Sequence, residues 1–186
     1  LSPVEVLVRQ LQNAHAGELA AAHAYHGHWR SLSPGEERER VRAIEAEEWH
    51  HRELVGEMLR RLGAAPRPSR ERAFAAIGRT LGPLCHVSGW LLPMYGAGFL
   101  ERFNVAEYER AARSATEAGH SELVDCLLAM AEVEWDHESY FRSRVAGRFR
   151  RVPLWPPLPP RASIRIGAGR PPLPEDVVVA PVLPAL

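Results

Sequence analysis

The chain has 186 residues, 23 of them basic and 23 acidic. That length suits one domain with an ample core, and the balanced charge excludes nucleic acid as a partner recognised by net charge. The two cysteines, Cys85 and Cys126, are far apart and form no C-x-x-C, which excludes a zinc ribbon or a cysteine-ligated iron centre and gives no support to a disulfide scaffold. No signal-peptide pattern opens the chain, so a reducing cytoplasm is the expected location.

Ser2-Pro3-Val4-Glu5 and Ser33-Pro34-Gly35-Glu36 share one helix-start pattern. Ser stands at the N-cap, Pro at the first helical position, and Glu where it closes a capping box. The first helix is predicted over residues 3–30, with Val4, Leu7, Leu11, Glu18, Tyr25 and Trp29 inward. The second is predicted over residues 34–62, stopped by Gly63, Pro66 and Pro68. Its inward stripe reads Ile44, Glu48, His51, Val55, Met58 and Leu62.

Residues 64–89 read as a long crossover with a short helix from Ser69 to Ile77. Residues 81–100 are apolar but interrupted by Gly82, Pro83, Gly89, Pro93, Gly96 and Gly98. The run is long enough to span a bilayer, yet its prolines and glycines and the Glu101 that follows argue against spanning. A third long helix reaches about Glu117, with Met94, Ala97, Glu101, Val105 and Tyr108 inward. After Gly119, Ser121 is expected to cap a fourth helix to about Gly147. Its inward residues are Leu123, Leu127, Met130, Glu134, His137, Phe141 and Val145.

The organisation is therefore a helical domain over residues 1–147 and a tail over 148–186. Ten of the 16 prolines follow Val152, so the tail cannot continue the helices. Leu154, Trp155, Leu158, Val177, Val178 and Val179 are too apolar for a solvated linker. The tail is expected to lie extended over the helices or over a neighbouring subunit.

Two motifs carry the chemistry: Glu48-Trp49-His50-His51 and Glu134-Trp135-Asp136-His137. Each is an E-x-x-H, and three residues is nearly one helical turn, so Glu and His share a face. One Glu stands well upstream of each: Glu18 before Glu48, and Glu101 before Glu134. A tyrosine follows each of these by seven residues, Tyr25 and Tyr108, about two turns further along the same stripe. The chain thus reads as a twofold repeat. A Glu from each of two helices plus an E-x-x-H from each of two others is a carboxylate-bridged two-metal ligand set of a four-helix bundle.

Glu18, Glu48, His51, Glu101, Glu134 and His137 are therefore the expected metal ligands and catalytic residues. Four carboxylates balance two divalent ions, which avoids burying net charge. Tyr25 and Tyr108 are expected to donate to ligand carboxylates. Glu47 with His50 offers an E-x-x-H in the neighbouring register, on a less apolar stripe, and Glu107 competes with Glu101 but lacks the matching tyrosine. Trp49 and Trp135 read as packing residues. His15, His23, His26 and His28 raise the question of a second metal site, and Asp136 that of orienting a ligand imidazole.

With these residues the chain resembles the ferritin-like di-iron carboxylate superfamily, and within it most the demethoxyubiquinone hydroxylase family. The resemblance covers residues 1–147. It rests on the HAGELAAAHAYHG segment around Glu18, both E-x-x-H motifs, the Tyr108 offset and the run SGWLLPMYGAGFLE before Glu101. The long gap from Glu48 to Glu101 also suits that family better than bacterioferritin. The resemblance implies a ferritin-like four-helix bundle with a long crossover between helices two and three. It implies two iron ions, with manganese as the alternative, and a cytoplasmic, membrane-peripheral oxidoreductase. It also implies that the apolar run over residues 81–100 lines a substrate entry and touches a membrane surface. Such a monooxygenase would activate dioxygen to hydroxylate a small organic, quinone-like substrate, using an electron donor that the sequence does not name. A homo-oligomer is compatible with this reading. Two alternatives share the ligand pattern: a ferroxidase or peroxide-reducing protein of ferritin or rubrerythrin type, and a non-catalytic metal-binding interaction module.

Overall fold

Helix-start and helix-stop residues set most of the observed boundaries in the computed structural model, which describes residues 1–158. Among the described residues are five α-helices and no strand: α1 (Pro3–Ser31), α2 (Glu36–Arg61), α3 (Pro68–Val87), α4 (Leu91–Glu117) and α5 (Val124–Arg148). The all-α class follows as expected. None of these helices is long and apolar enough to cross a membrane.

The α1 capping box forms: the Glu5 amide donates to Ser2 Oγ at 3.3 Å, and the Ser2 amide donates to Glu5 Oε2 at 2.7 Å. The equivalent box before α2 does not form. Gly35, not Ser33, stands at the N-cap, with φ +148° and no side-chain cap bond. Only glycine enters that region at low cost, so the backbone turn replaces the serine cap. Ser121 is likewise not a cap; it opens a short 3-10 turn, Ser121–Leu123, that leads into α5.

The largest departure from expectation is α3. It runs on through Gly82 and Pro83 to Val87 instead of stopping near Ile77. Pro83 removes one backbone donor from the helix interior, which ordinarily kinks or ends a helix. Packing overrides that cost. The two buried residues of α3 are Gly78 and Gly82. A Cβ on Gly78 would run into the Ala20 backbone, and one on Gly27 into the Gly82 backbone. The two helix backbones therefore approach as closely as glycine allows. Pro93 sits in the first turn of α4, where amides have no helical acceptor anyway.

The chain divides into two compact units. The first comprises residues 11–84, with α2 and most of α1 and α3. Ala22, Tyr25, Val41, Ile44, Val55 and Leu59 are buried there. The α1–α2 seam closes on Glu45. Its carboxylate accepts the Trp29 indole N–H at 2.6 Å, the His26 imidazole at 3.0 Å and the Trp49 indole N–H at 3.4 Å. A second bridge ties α3 to both: Glu71 pairs with Arg52 at 2.6 Å and His15 at 2.9 Å, and Arg52 also donates to the His15 carbonyl. On α3 the apolar residues Ile77, Leu81 and Leu84 face outward, because glycine occupies the packed face.

The second unit comprises, among the described residues, Leu1–Gln10 and residues 85–158. Its core joins α4 and α5 through Met94, Val105, Tyr108, Leu127, Met130, Phe141 and Val145. Gly98, rather than the expected Ala97, is buried on α4. A Cβ there would strike the Trp155 ring and Phe141. Residues 152–158 lie across these helices without helical structure. Trp155 is buried, its indole N–H donates to Glu138 at 2.6 Å, and its ring meets Tyr95 edge-on at 4.9 Å. The Tyr95 hydroxyl donates to the Pro153 carbonyl, and Arg142 donates to the carbonyls of Trp155 and Pro156. Leu92, Phe99, Leu100 and Phe103 of α4 are exposed. The expected packing of Val177, Val178 and Val179 lies outside the described residues.

Candidate metal centre

Helical phase puts the predicted ligands on the core faces. Glu18, Glu48, His51, Glu101, Glu134 and His137 are each at most 4% exposed. A carboxylate removed this far from water is stable only beside compensating charge or donors. Six buried ionisable groups on otherwise apolar stripes form clusters that could hold a metal ion, and they distinguish these helices from ordinary amphipathic ones.

Within the first unit, Glu18 on α1 meets the E-x-x-H of α2. Glu18, Glu48 and His51 offer ligand atoms all within 4.8 Å of one another, and His51 Nδ1 lies 4.0 Å from Glu18 Oε1. Within the second unit, Glu101 on α4 meets the E-x-x-H of α5. Glu101, Glu134 and His137 also offer atoms within 4.8 Å of one another. There His137 Nδ1 lies 3.9 Å from Glu101 Oε1 and 3.5 Å from Glu134 Oε2. Two half-sites of the same composition thus repeat one imidazole–carboxylate spacing, just beyond hydrogen-bond length. The donor set could hold a divalent metal, since carboxylate oxygens and imidazole nitrogens are ligands for several such ions.

The competing residues stand elsewhere. Glu47 pairs with Arg40 at 3.0 Å and is 38% exposed at its side chain. His50 is only half-buried, where His51 is buried. Glu107 is half-buried on α4, off the stripe of Glu101, Val105 and Tyr108. Asp136 is half-buried beside the buried His137.

The histidines of α1 have separate partners rather than one shared centre. His15 pairs with Glu71 and His26 with Glu45, while His23 meets Trp49 edge-on. His28 is buried and stacks on Tyr25 at 6.1 Å, and burial pushes its pKa down to about 4. His15 is also lowered, chiefly by burial, against the raising influence of Glu71. Tyr25 and Tyr108 are both buried.

One polar residue at the site lies outside the set expected from the sequence. Asn104 donates to Glu101 Oε2 at 2.9 Å and reaches Glu134 Oε2 at 3.5 Å. A signal for it exists, because Asn104 stands one turn after Glu101 on the same face. The twofold repeat obscures that signal, since no asparagine stands at the matching place after Glu18. Comparisons with protein-family models, with curated proteins and with solved structures found no match.

Proposed function

We propose that this chain is a ferritin-like four-helix protein holding two iron ions and activating dioxygen to oxidise a small apolar organic molecule. The observation that carries the reading is the pair of buried Glu-Glu-His half-sites with matched His–Glu spacings of 4.0 and 3.9 Å. In this reading Glu18, Glu48 and His51 act with Glu101, Glu134 and His137 on one pair of ions. Manganese would suit the same oxygen donors.

Bound iron would supply the redox chemistry for dioxygen activation. The protein's own share is to hold charge, orient ligands and exclude water. Four carboxylates offset the charge of two divalent ions, so no net charge is buried. Imidazoles and carboxylates on stiff helices keep the donor atoms in place. Tyr25 and Tyr108, two turns along from Glu18 and Glu101, act as hydroxyl donors to ligand carboxylates.

The outward apolar residues favour an organic, membrane-partitioned substrate over iron or peroxide alone. Ile77, Leu81 and Leu84 line one exposed stripe of α3, and Leu92, Phe99 and Phe103 one of α4. Both fall in or beside the segment expected to form the substrate entry and to contact a membrane surface. Sedimentation with liposomes in excess of a control protein supports that contact, and equality with the control removes it.

The deciding experiment is metal analysis of protein purified without chelators, followed by electronic spectra on exposure to dioxygen. About two iron ions per chain and a dioxygen-dependent absorption change support the reading. Stoichiometric zinc alone rejects it. Catalytic oxidation of added iron without turnover of any quinone-like substrate moves the assignment to a ferroxidase. Bound metal with no dioxygen response leaves a non-catalytic binding module.

A further inference from the structure

The two half-sites differ at the position three residues after the upstream glutamate. Asn104 lies three residues after Glu101, and its amide group contacts one oxygen of each carboxylate in its half-site. An amide NH2 carries two donor hydrogens, enough for both bonds. At the same spacing after Glu18 stands Ala21, which has no side-chain donor.

We propose that Asn104 is a positioning residue that makes the half-sites unequal: it pre-forms the α4–α5 half-site, which takes the first divalent ion, and the α1–α2 half-site takes the second. The proposal rests on the metal reading above. Its physical basis is the conflict inside a pair of ionised carboxylates. Glu101 and Glu134 repel one another when both are charged, and a donor shared by the two carboxylates offsets part of that repulsion before an ion arrives. Two N–H groups of one neutral amide hold them together without adding a positive charge that competes with the metal. The amide also selects the oxygen left for coordination. Glu101 Oε2 is held by Asn104, while Oε1 lies beside His137 at 3.9 Å. The counter-effect is that each N–H draws electron density from its oxygen and weakens its donation. Partners of metal-binding side chains cost about 10–100-fold in affinity when removed, so positioning outweighs that loss.

The test is titration of metal-free protein with Co(II) alone, followed by its absorption bands and by calorimetry. Wild type is expected to fill in two resolved steps of one ion each. Asn104→Ala should weaken the first step about 10–100-fold and merge it with the second, while the metal-free thermal midpoint stays near wild type. Should the alanine variant fail to fold, Asn104→Leu, of similar volume and without donors, is expected to show the same loss. Paired variants assign the step. In a His51→Ala background, which leaves the α4–α5 half-site intact, removing Asn104 should still cost the full factor. In a His137→Ala background it should cost nothing. An unchanged first step in both Asn104 variants, or equal losses in the two backgrounds, overturns the proposal. Failure of wild type to bind any Co(II) overturns the metal reading itself, and the proposal with it.

Discussion

The two units carry the same Glu-Glu-His set and secure it by different means. In residues 11–84 the ligand helices are tied by charge and by glycine: Glu45 gathers three N–H donors, Glu71 bridges Arg52 and His15, and α3 lies backbone to backbone on α1. In residues 85–158 the corresponding work falls to packing and to one amide. Trp155 fills the slot that Gly98 leaves open, and Asn104 spans the carboxylates. A repeated Glu/His motif thus constrains the buried face of each helix and leaves the supporting face free to diverge. Residues on supporting faces need satisfy only local packing and charge, and many arrangements do so.

The comparison breaks first at the ligands. Glu48→Ala and His137→Ala each remove one ligand from opposite half-sites, and each is expected to lose at least one of two metal ions. Elemental analysis of both proteins checks this, and full retention in both would show that the shared motif is not a metal site.

Next in size is the support of the second unit. Trp155→Ala removes a buried aromatic ring and its bond to Glu138. A loss of about 3–5 kcal/mol is expected, read as a lower denaturation midpoint. Gly98→Leu should do similar damage by displacing the ring. Stability equal to wild type in both would reduce residues 152–158 to a loosely attached segment.

The first unit has an acid weakness of its own. His28 titrates near 4 when folded against 6.5 unfolded. The unfolded state binds the extra proton first, so this contribution is intact above pH 6.5 and declines as pH falls from 6.5 towards 4. It amounts to roughly 3 kcal/mol across the window. His28→Gln should flatten the stability profile between those pH values, and an unaltered profile would assign the acid limb to other groups.

The smallest effect sharpens the contrast in polar support. Glu45→Ala leaves Trp29, His26 and Trp49 without their shared acceptor. A cost of about 1–3 kcal/mol is expected, read by chemical denaturation. Metal content should be retained, because Glu45 lies outside the proposed ligand set. Loss of metal with Glu45 would place this cluster inside the site rather than beside it.

Much of the molecule is legible in the chain itself. Helical periodicity places Leu7, Leu11, Glu18 and Tyr25 on the buried face of α1, and every expected inward residue of α5 is buried. In a helix, residues three or four apart share a face, whereas residues two apart point to different sides. Glu and His stand three apart in both motifs, so the pairing of Glu134 with His137 follows from spacing, and that of Glu48 with His51 from spacing together with the apolar stripe that sets it above Glu47 and His50. Capping chemistry is equally local at Ser2 and Glu5.

Tertiary structure decides every feature whose cause lies on another element. The continuation of α3 through Pro83 depends on the close approach of Gly78 and Gly82 to α1, which no local propensity encodes. The burial of Gly98 rather than Ala97 depends on Trp155, 57 positions away by residue number. The selection of Asn104 depends on Glu134 reaching its amide from α5. Periodicity states which face turns inward; only the packed chain states what waits there, because the partner's shape and charge are set by residues far along the sequence.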